Sequence, residues 1–237
     1  VHQQVISINC QNPPDGWNID RNFQIVQCMI ENGSEEFVSL QKKANELANL
    51  VNAYAANNST YNRLPKRKAI DAFGGVLAEE GWMQFINSEF GRIAFPTQLE
   101  DINAQIDIQL SNGEKLEVRS SFPRNGVKFG ICNNKFNFKN IGPYSNTVKP
   151  GEVQKEFYLA VLFDTQKRDL FTVDEIHFSL IGGSTWDMMM NIGYDDPLKP
   201  FDDLIPIEST YKVIQLKDAL DAVQIINKIS EAGYQKL

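Results

Sequence analysis

Apolar residues along the chain follow two periods, and the change from one to the other divides it. Residues 35 to about 56, rich in Leu, Ala, Glu and Lys, predict a helix with Ser34 as its N-cap. Asn57-Asn58-Ser59-Thr60 ends it. A second helix is predicted from 66 to 87, around an Ile70/Phe73/Leu77 stripe. Gly74, Gly75 and Gly81 work against that helix, each by roughly 1 kcal/mol relative to alanine. From Ala104 the period becomes two. Ile106, Ile108 and Leu110 alternate with Asp107 and Gln109, then Leu116 and Val118 with Glu117 and Arg119. Val127, Phe129 and Ile131 continue this into a third strand, whereas 133–151 reads as irregular. Further strands are expected at 5–8, 157–163, 170–178 and 211–216. Gly182-Gly183-Ser184 reads as the cap of a short helix through Met190, and a helix closes the chain over 218–229. These elements predict a single α/β (α+β) domain over 1–237 with a central mixed sheet flanked by helices. A helical N-terminal region would span about 1–62 and the core about 63–237.

The link Ser111-Asn112-Gly113 sets the register of the first hairpin, because a three-residue loop wants positive φ at its third position. Leu110 then faces Glu114, Ile108 faces Leu116, and Asp107 lies opposite Glu117. A two-residue Asn-Gly turn would set apolar against polar side chains throughout, so the hydrophobic pattern selects the first register. Arg119, Ser121 and, on the third strand, Lys128 share the polar face. Opposed carboxylates with Cβ atoms ~5 Å apart repel unless water or a cation separates them. Hard oxygen ligands of this kind suit Mg²⁺. The plainer reading is the solvated side of an antiparallel sheet.

Composition narrows the chemistry. His2 and His177 are the only histidines and no Cys-x-x-Cys occurs, which disfavours zinc sites and Ser-His-Asp catalysis. Neither a Gly-x-Ser-x-Gly around Ser184 nor a phosphate-binding glycine motif is present. No apolar run reaches eighteen residues and no signal peptide is visible, so no membrane association is expected. Three widely spaced cysteines, Cys10, Cys28 and Cys132, predict reduced thiols in a cytoplasmic protein. The net charge of −7 opposes nucleic acid as a partner unless positive charge is gathered in a groove.

An Asp on one strand, Glu-x-Arg on the next and Ala78-Glu79-Glu80 in the preceding helix resemble the PD-(D/E)XK nuclease superfamily, mostly restriction and repair endonucleases. The order of helix, three strands, later strand and helix is also similar to that superfamily's core. The resemblance implies a restriction-endonuclease-like fold and Mg²⁺-dependent hydrolysis of phosphodiesters in double-stranded DNA, by a homodimer that can cut both strands. It implies metal ligation by Asp107 and Glu117, assisted by Glu80 or Glu79. Helical angles favour Glu80, and the Gly75-x-x-x-Glu79 spacing favours its neighbour. Arg119 stands where the family has lysine. It can clamp a phosphate but cannot act as a base, so either Arg119 stabilises charge, or Lys128 supplies the ammonium, or the centre is inactive.

Arg63, Lys66, Arg67 and Lys68 gather positive charge at a helix start, where cations are unfavourable unless phosphates approach. With Ser121, Arg124, Lys135 and Lys139 they form the expected DNA-facing set. The rival expectation is a non-catalytic nucleic-acid-binding or protein-interaction domain on a nuclease-like scaffold.

Overall fold

The run FYLAVLF at Phe157–Phe163 is buried at all seven positions, as a strand covered on both faces must be. The computed structural model describes residues 1–10, 21–50, 65–97, 107–133, 138–145, 153–198 and 209–237. In chain order the elements are β1 (His2–Asn9), β2 (Asn22–Glu31), α1 (Glu35–Leu50), α2 (Pro65–Phe90), β3 (Ala94–Pro96), β4 (Ile108–Leu110) and β5 (Lys115–Ser121). There follow α3 (Gly126–Cys132), β6 (Lys139–Tyr144), β7 (Phe157–Phe163), β8 (Glu175–Thr185), α4 (Trp186–Asn191), β9 (Tyr194–Leu198), β10 (Ser209–Gln215), β11 (Leu220–Asp221) and α5 (Ala222–Glu231).

The main sheet runs β1-β2-β8-β7-β5-β4-β3, with β11 beside β8. Its one parallel pair is β5 with β7, so the chain is a mixed α/β protein with a mixed sheet at its centre. α1, α2 and α5 cover one face through Phe37, Phe73, Leu77, Trp82 and Ile225, packed against Leu116, Val118, Leu159 and Phe178. The opposite face carries α3, whose Val127 and Ile131 pack with Phe23, Ile25 and Leu162. A second sheet, β6-β10-β9, docks near the buried Tyr158. Asn140 on β6 ties the two sheets together, donating to the Tyr158 carbonyl at 3.0 Å and accepting from Ser184 Oγ at 2.6 Å.

The first hairpin has the register set by its hydrophobic pattern. Ile108 pairs with Leu116, the Leu110 N–H donates to the Glu114 carbonyl, and Gly113 has φ +94°. Ser34 caps α1, its Oγ accepting from the Phe37 N–H at 3.2 Å. α2 runs unbroken through its glycines, and two of them have packing reasons. A Cβ on Gly81 would meet the Phe178 ring at 2.8 Å, and one on Gly74 the Phe122 ring at 3.0 Å. Gly75 has nothing within 4 Å, so Gly75→Ala should raise unfolding stability by about 0.5–1 kcal/mol in a urea titration.

Other expectations are corrected. Residues 127–131 form helix α3 and not a third strand. The partner on that side of β5 is the parallel β7, and a parallel pair requires a crossover that a hairpin cannot supply. The same short apolar run also satisfies helical spacing, with Val127, Gly130 and Ile131 buried, and Asp164 Oδ1 accepts the Val127 N–H at 3.0 Å. Strand β6 lies inside the stretch expected to be irregular; β1 contains the strand expected at 5–8, while β2 is not among the elements expected in the N-terminal region. Gly182, Gly183 and Ser184 belong to β8, and the cap of α4 is Thr185. Cys10 and Cys132 are joined in a disulfide, with Cα atoms 4.9 Å apart, so only Cys28 is a free thiol. Burial raises the Cys28 pKa to about 12, against the weaker opposing effect of the Gln3 side chain. No helix among the described residues is long and apolar enough to cross a membrane.

Candidate functional site

Strand alternation sends Leu116 and Val118 into the core beneath α2 and Glu117 and Arg119 to the other face. Asp107, just ahead of β4, brackets Glu117 through the backbone. Its N–H donates to the Leu116 carbonyl at 3.0 Å, and its Oδ2 accepts the Val118 N–H at 2.6 Å. The carboxylate therefore takes the place of a ladder partner for β5, which fixes it beside the strand that carries Glu117.

Glu117 is only 2% exposed, and its two oxygens meet two cations. Oε1 pairs with Arg119 Nη2, and Oε2 with Lys155 Nζ at 2.9 Å. Lys155 has no exposed surface. It enters just ahead of β7, and the parallel β5–β7 pairing, with Glu117 beside Tyr158, brings it to the carboxylate. Arg119 is further enclosed by the small sheet. Its guanidinium lies 5.8 Å from the centre of the Tyr211 ring, and the Tyr211 hydroxyl donates to that of Tyr144 at 2.9 Å. The buried Arg119 Nε has no hydrogen-bond acceptor among the described residues. Burial alone would lower the arginine pKa, but Glu117 first, then Tyr144, Tyr211 and Asp107, override it and raise the value.

Asp107 is pushed well above the usual carboxylate range. Burial is the largest cause, followed by the charges of Glu79 and Glu117, against the Val118 N–H and Arg119. Glu79 is raised too, chiefly by burial, despite the opposing Lys43 ammonium 3.4 Å away. Of the two helix glutamates it is Glu79 whose charge reaches Asp107. Glu80 accepts instead from Gln84 Nε2 at 2.8 Å, in a chain that continues to Glu36 on α1. Helical angles favour Glu80, whereas Glu79 is the glutamate whose charge acts on Asp107.

These carboxyls bear on pH dependence. A folded-state pKa above the unfolded value means that the folded form holds its proton while the unfolded form releases it. Stability without bound cations should thus fall as pH rises out of the ordinary carboxylate range and through the raised folded pKa of Asp107. Urea titrations at pH 5 and pH 8 should show a smaller loss for Asp107→Asn than for the wild type. Parallel losses would remove Asp107 as the cause.

The remaining expected residues are scattered. Lys128 is exposed on α3, away from the strand position assigned to it, so it does not share a sheet face with Glu117. Ser121 is half-buried at the end of β5, Arg124 is exposed in the following turn, and Lys68 is half-buried on α2. Lys139 on β6 pairs with Asp196. Lys66 and Arg67 lie in the first turn of α2, but their side chains, like all of Arg63 and Lys135, fall outside the described residues. Lys155, Tyr144 and Tyr211 escaped the sequence reading. Lysine is almost never fully buried unless paired, and the only sequence signal was its place at the mouth of a wholly apolar strand.

Among the described residues, no group of three or more His, Cys, Asp or Glu side chains is placed to hold a metal ion. Mg²⁺ commonly takes only one or two carboxylates and keeps waters or phosphate oxygens for the rest, and Asp107 with Glu117 fits that smaller demand in donor type. The fold and site define a mixed α/β protein with a buried acidic centre neutralised by one lysine and one arginine. The sequence matches no family model, no curated protein and no solved structure.

Proposed function

We propose that this protein is a Mg²⁺-dependent endonuclease acting on double-stranded DNA, with a centre of the PD-(D/E)XK type. The observation that carries the reading is the bracketing of Glu117 by Asp107, with Lys155 supplying beside it the ammonium that the Glu-x-Arg motif lacks. The succession α2, β3, β4, β5 and then β7, parallel to β5 and separated from it by α3 and β6, supports it as well, since a helix, three strands and a later strand are the order of that superfamily's core. Asp107 and Glu117 would hold the metal, with Glu79 raising the local negative charge. Bound there, Mg²⁺ would lower the pKa of a water and offset charge on the phosphoryl group. Lys155 orients Glu117, and the partly exposed guanidinium of Arg119 is suited to a phosphate oxygen. A homodimer would present two centres to the two strands. The proposed setting is the cytoplasm. The Cys10–Cys132 bond opposes that setting, because cytosolic thiols are held reduced.

A second reading has its own observation. With both oxygens of Glu117 already paired to cations, the centre could be a buried structural knot in a non-catalytic binding domain. Incubation with supercoiled plasmid separates the two. Nuclease action predicts Mg²⁺-dependent nicking or cutting that Asp107→Asn lowers by about a hundredfold or more, with the folded state intact. It also predicts that Mg²⁺ raises the melting temperature of the wild type but not of Asp107→Asn. No cleavage with any divalent ion, or equal cleavage by both proteins, leaves the binding-domain reading.

A further inference from the structure

Both histidines of the chain fall in one row of the main sheet. His2 on β1 pairs with Met29 on β2, and Met29 pairs with His177 on β8. Directly paired residues on neighbouring strands point to the same side, so imidazole, thioether and imidazole stand side by side, one strand spacing of ~4.8 Å apart. Their neighbours Cys28 and Phe178 point the other way, into the core under α2. All three of the row line a cleft of about 390 Å³ on the face that α3 leaves uncovered.

We propose that His2, Met29 and His177 form a binding site for a soft monovalent metal ion, Cu(I). A thioether is a poor ligand for hard or borderline cations and selects Cu(I), and imidazole serves Cu(I) as well. Met29 stands at the centre of the row, with flexible reach towards an ion held between the two rings. His177 Nε2 lies 3.1 Å from Glu175 Oε2, the kind of carboxylate contact that metal-binding histidines commonly make, and Nδ1 is the nitrogen that would take the ion. A separate observation shows that the cleft has polar capacity to spare. Ser179, in the next row, is 1% exposed, and its Oγ has no hydrogen-bond partner among the described residues. The site is independent of the nuclease reading, since it shares no residue with the Asp107–Glu117 centre.

The test is anaerobic titration of the full chain with Cu(I) in ascorbate, which leaves the Cys10–Cys132 bond closed, against a chromophoric Cu(I) chelator. One equivalent should bind. Met29→Leu and His177→Gln should each weaken binding by about tenfold or more, and Cys28→Ala should not. Ag(I), a redox-inert probe, should shift the NMR signals of both imidazoles and of the Met29 methyl group together. Absence of binding would overturn the proposal. So would binding that survives Met29→Leu and His177→Gln, which would place copper outside the row. Loss of binding in Cys28→Ala would also overturn it, by assigning the ion to the thiol.

Discussion

Glu117→Ala should lower unfolding stability by about 3–5 kcal/mol, the range for breaking a buried ion pair from one side. The substitution strips Lys155, which has no exposed surface, and Arg119 of the carboxylate between them. Two positive charges, one of them on a lysine with no exposed surface, would then face each other without the carboxylate between them. For a protein of this size the melting temperature should drop by roughly 6–20 °C. Removing the charges together should be far milder, because well-packed apolar groups replace a buried ion pair at little net cost. The double variant Glu117→Met/Lys155→Met should therefore recover the part of the loss due to Lys155, with Arg119 still lacking its carboxylate, and a double-mutant cycle on urea midpoints measures it. A fall of less than about 1 kcal/mol for Glu117→Ala, as for a surface ion pair, would mean that the centre is solvated. The same result governs how activity is read. A Glu117 variant that fails to cut DNA could simply be unfolded, whereas Asp107→Asn keeps an acceptor for the Val118 N–H and removes only the charge.

Gly182→Ala should abolish the native fold, with the protein recovered as aggregate or as a species without a cooperative melting transition. Gly182 has φ +132°, a conformation that side chains rarely adopt. An added Cβ would also sit 1.9 Å from the Leu220 carbonyl oxygen and 2.6 Å from the Asp221 Cα. Both contacts are backbone, so no side chain can swing aside. Here β11 pairs with β8 while the β7–β8 register slips between Ala160 and Val161, and three strands converge on one residue. Losing β11 would also displace the capping box of α5, in which Asp221 and Gln224 satisfy each other's backbone donors. Destabilisation beyond 4–5 kcal/mol is exceptional for a point change and has the named cause of backbone overlap. A cooperative, wild-type-like melt for Gly182→Ala would show that β11 does not pack against β8 as closely as described. Gly75→Ala is the matched control, at a glycine with open space around it.

The proposed metal chemistry and the fold meet at β5. Its core-facing side chains are held by α2, and its other face is closed by a small sheet anchored through Asn140. Tyr144 and Tyr211 reach Arg119 from that small sheet, so the centre is built by elements up to 104 residues away from Asp107 along the chain (211 minus 107).

What the sequence determined by itself was local. Alternation of apolar and polar residues and the glycine of a three-residue loop sufficed for the β4–β5 register, and hence for Asp107 beside Glu117. The all-apolar run was enough to place β7, and cap and composition were enough for α1. Tertiary structure decided the rest, because each of those questions was one of partner choice. Residues 127–131 satisfy both periods, and only the parallel pairing of β5 with β7 demands the crossover that makes them a helix. Cys10 and Cys132 stand 122 residues apart, a separation that carries no local signal of pairing. Glu79 rather than Glu80 acts on Asp107, a choice that depends on how α2 packs against the sheet and that the helical period alone could not make. Lys155 became the counter-ion of Glu117 for the same reason, since the pairing of β7 with β5 brings distant charges within reach and burial then makes their attraction strong.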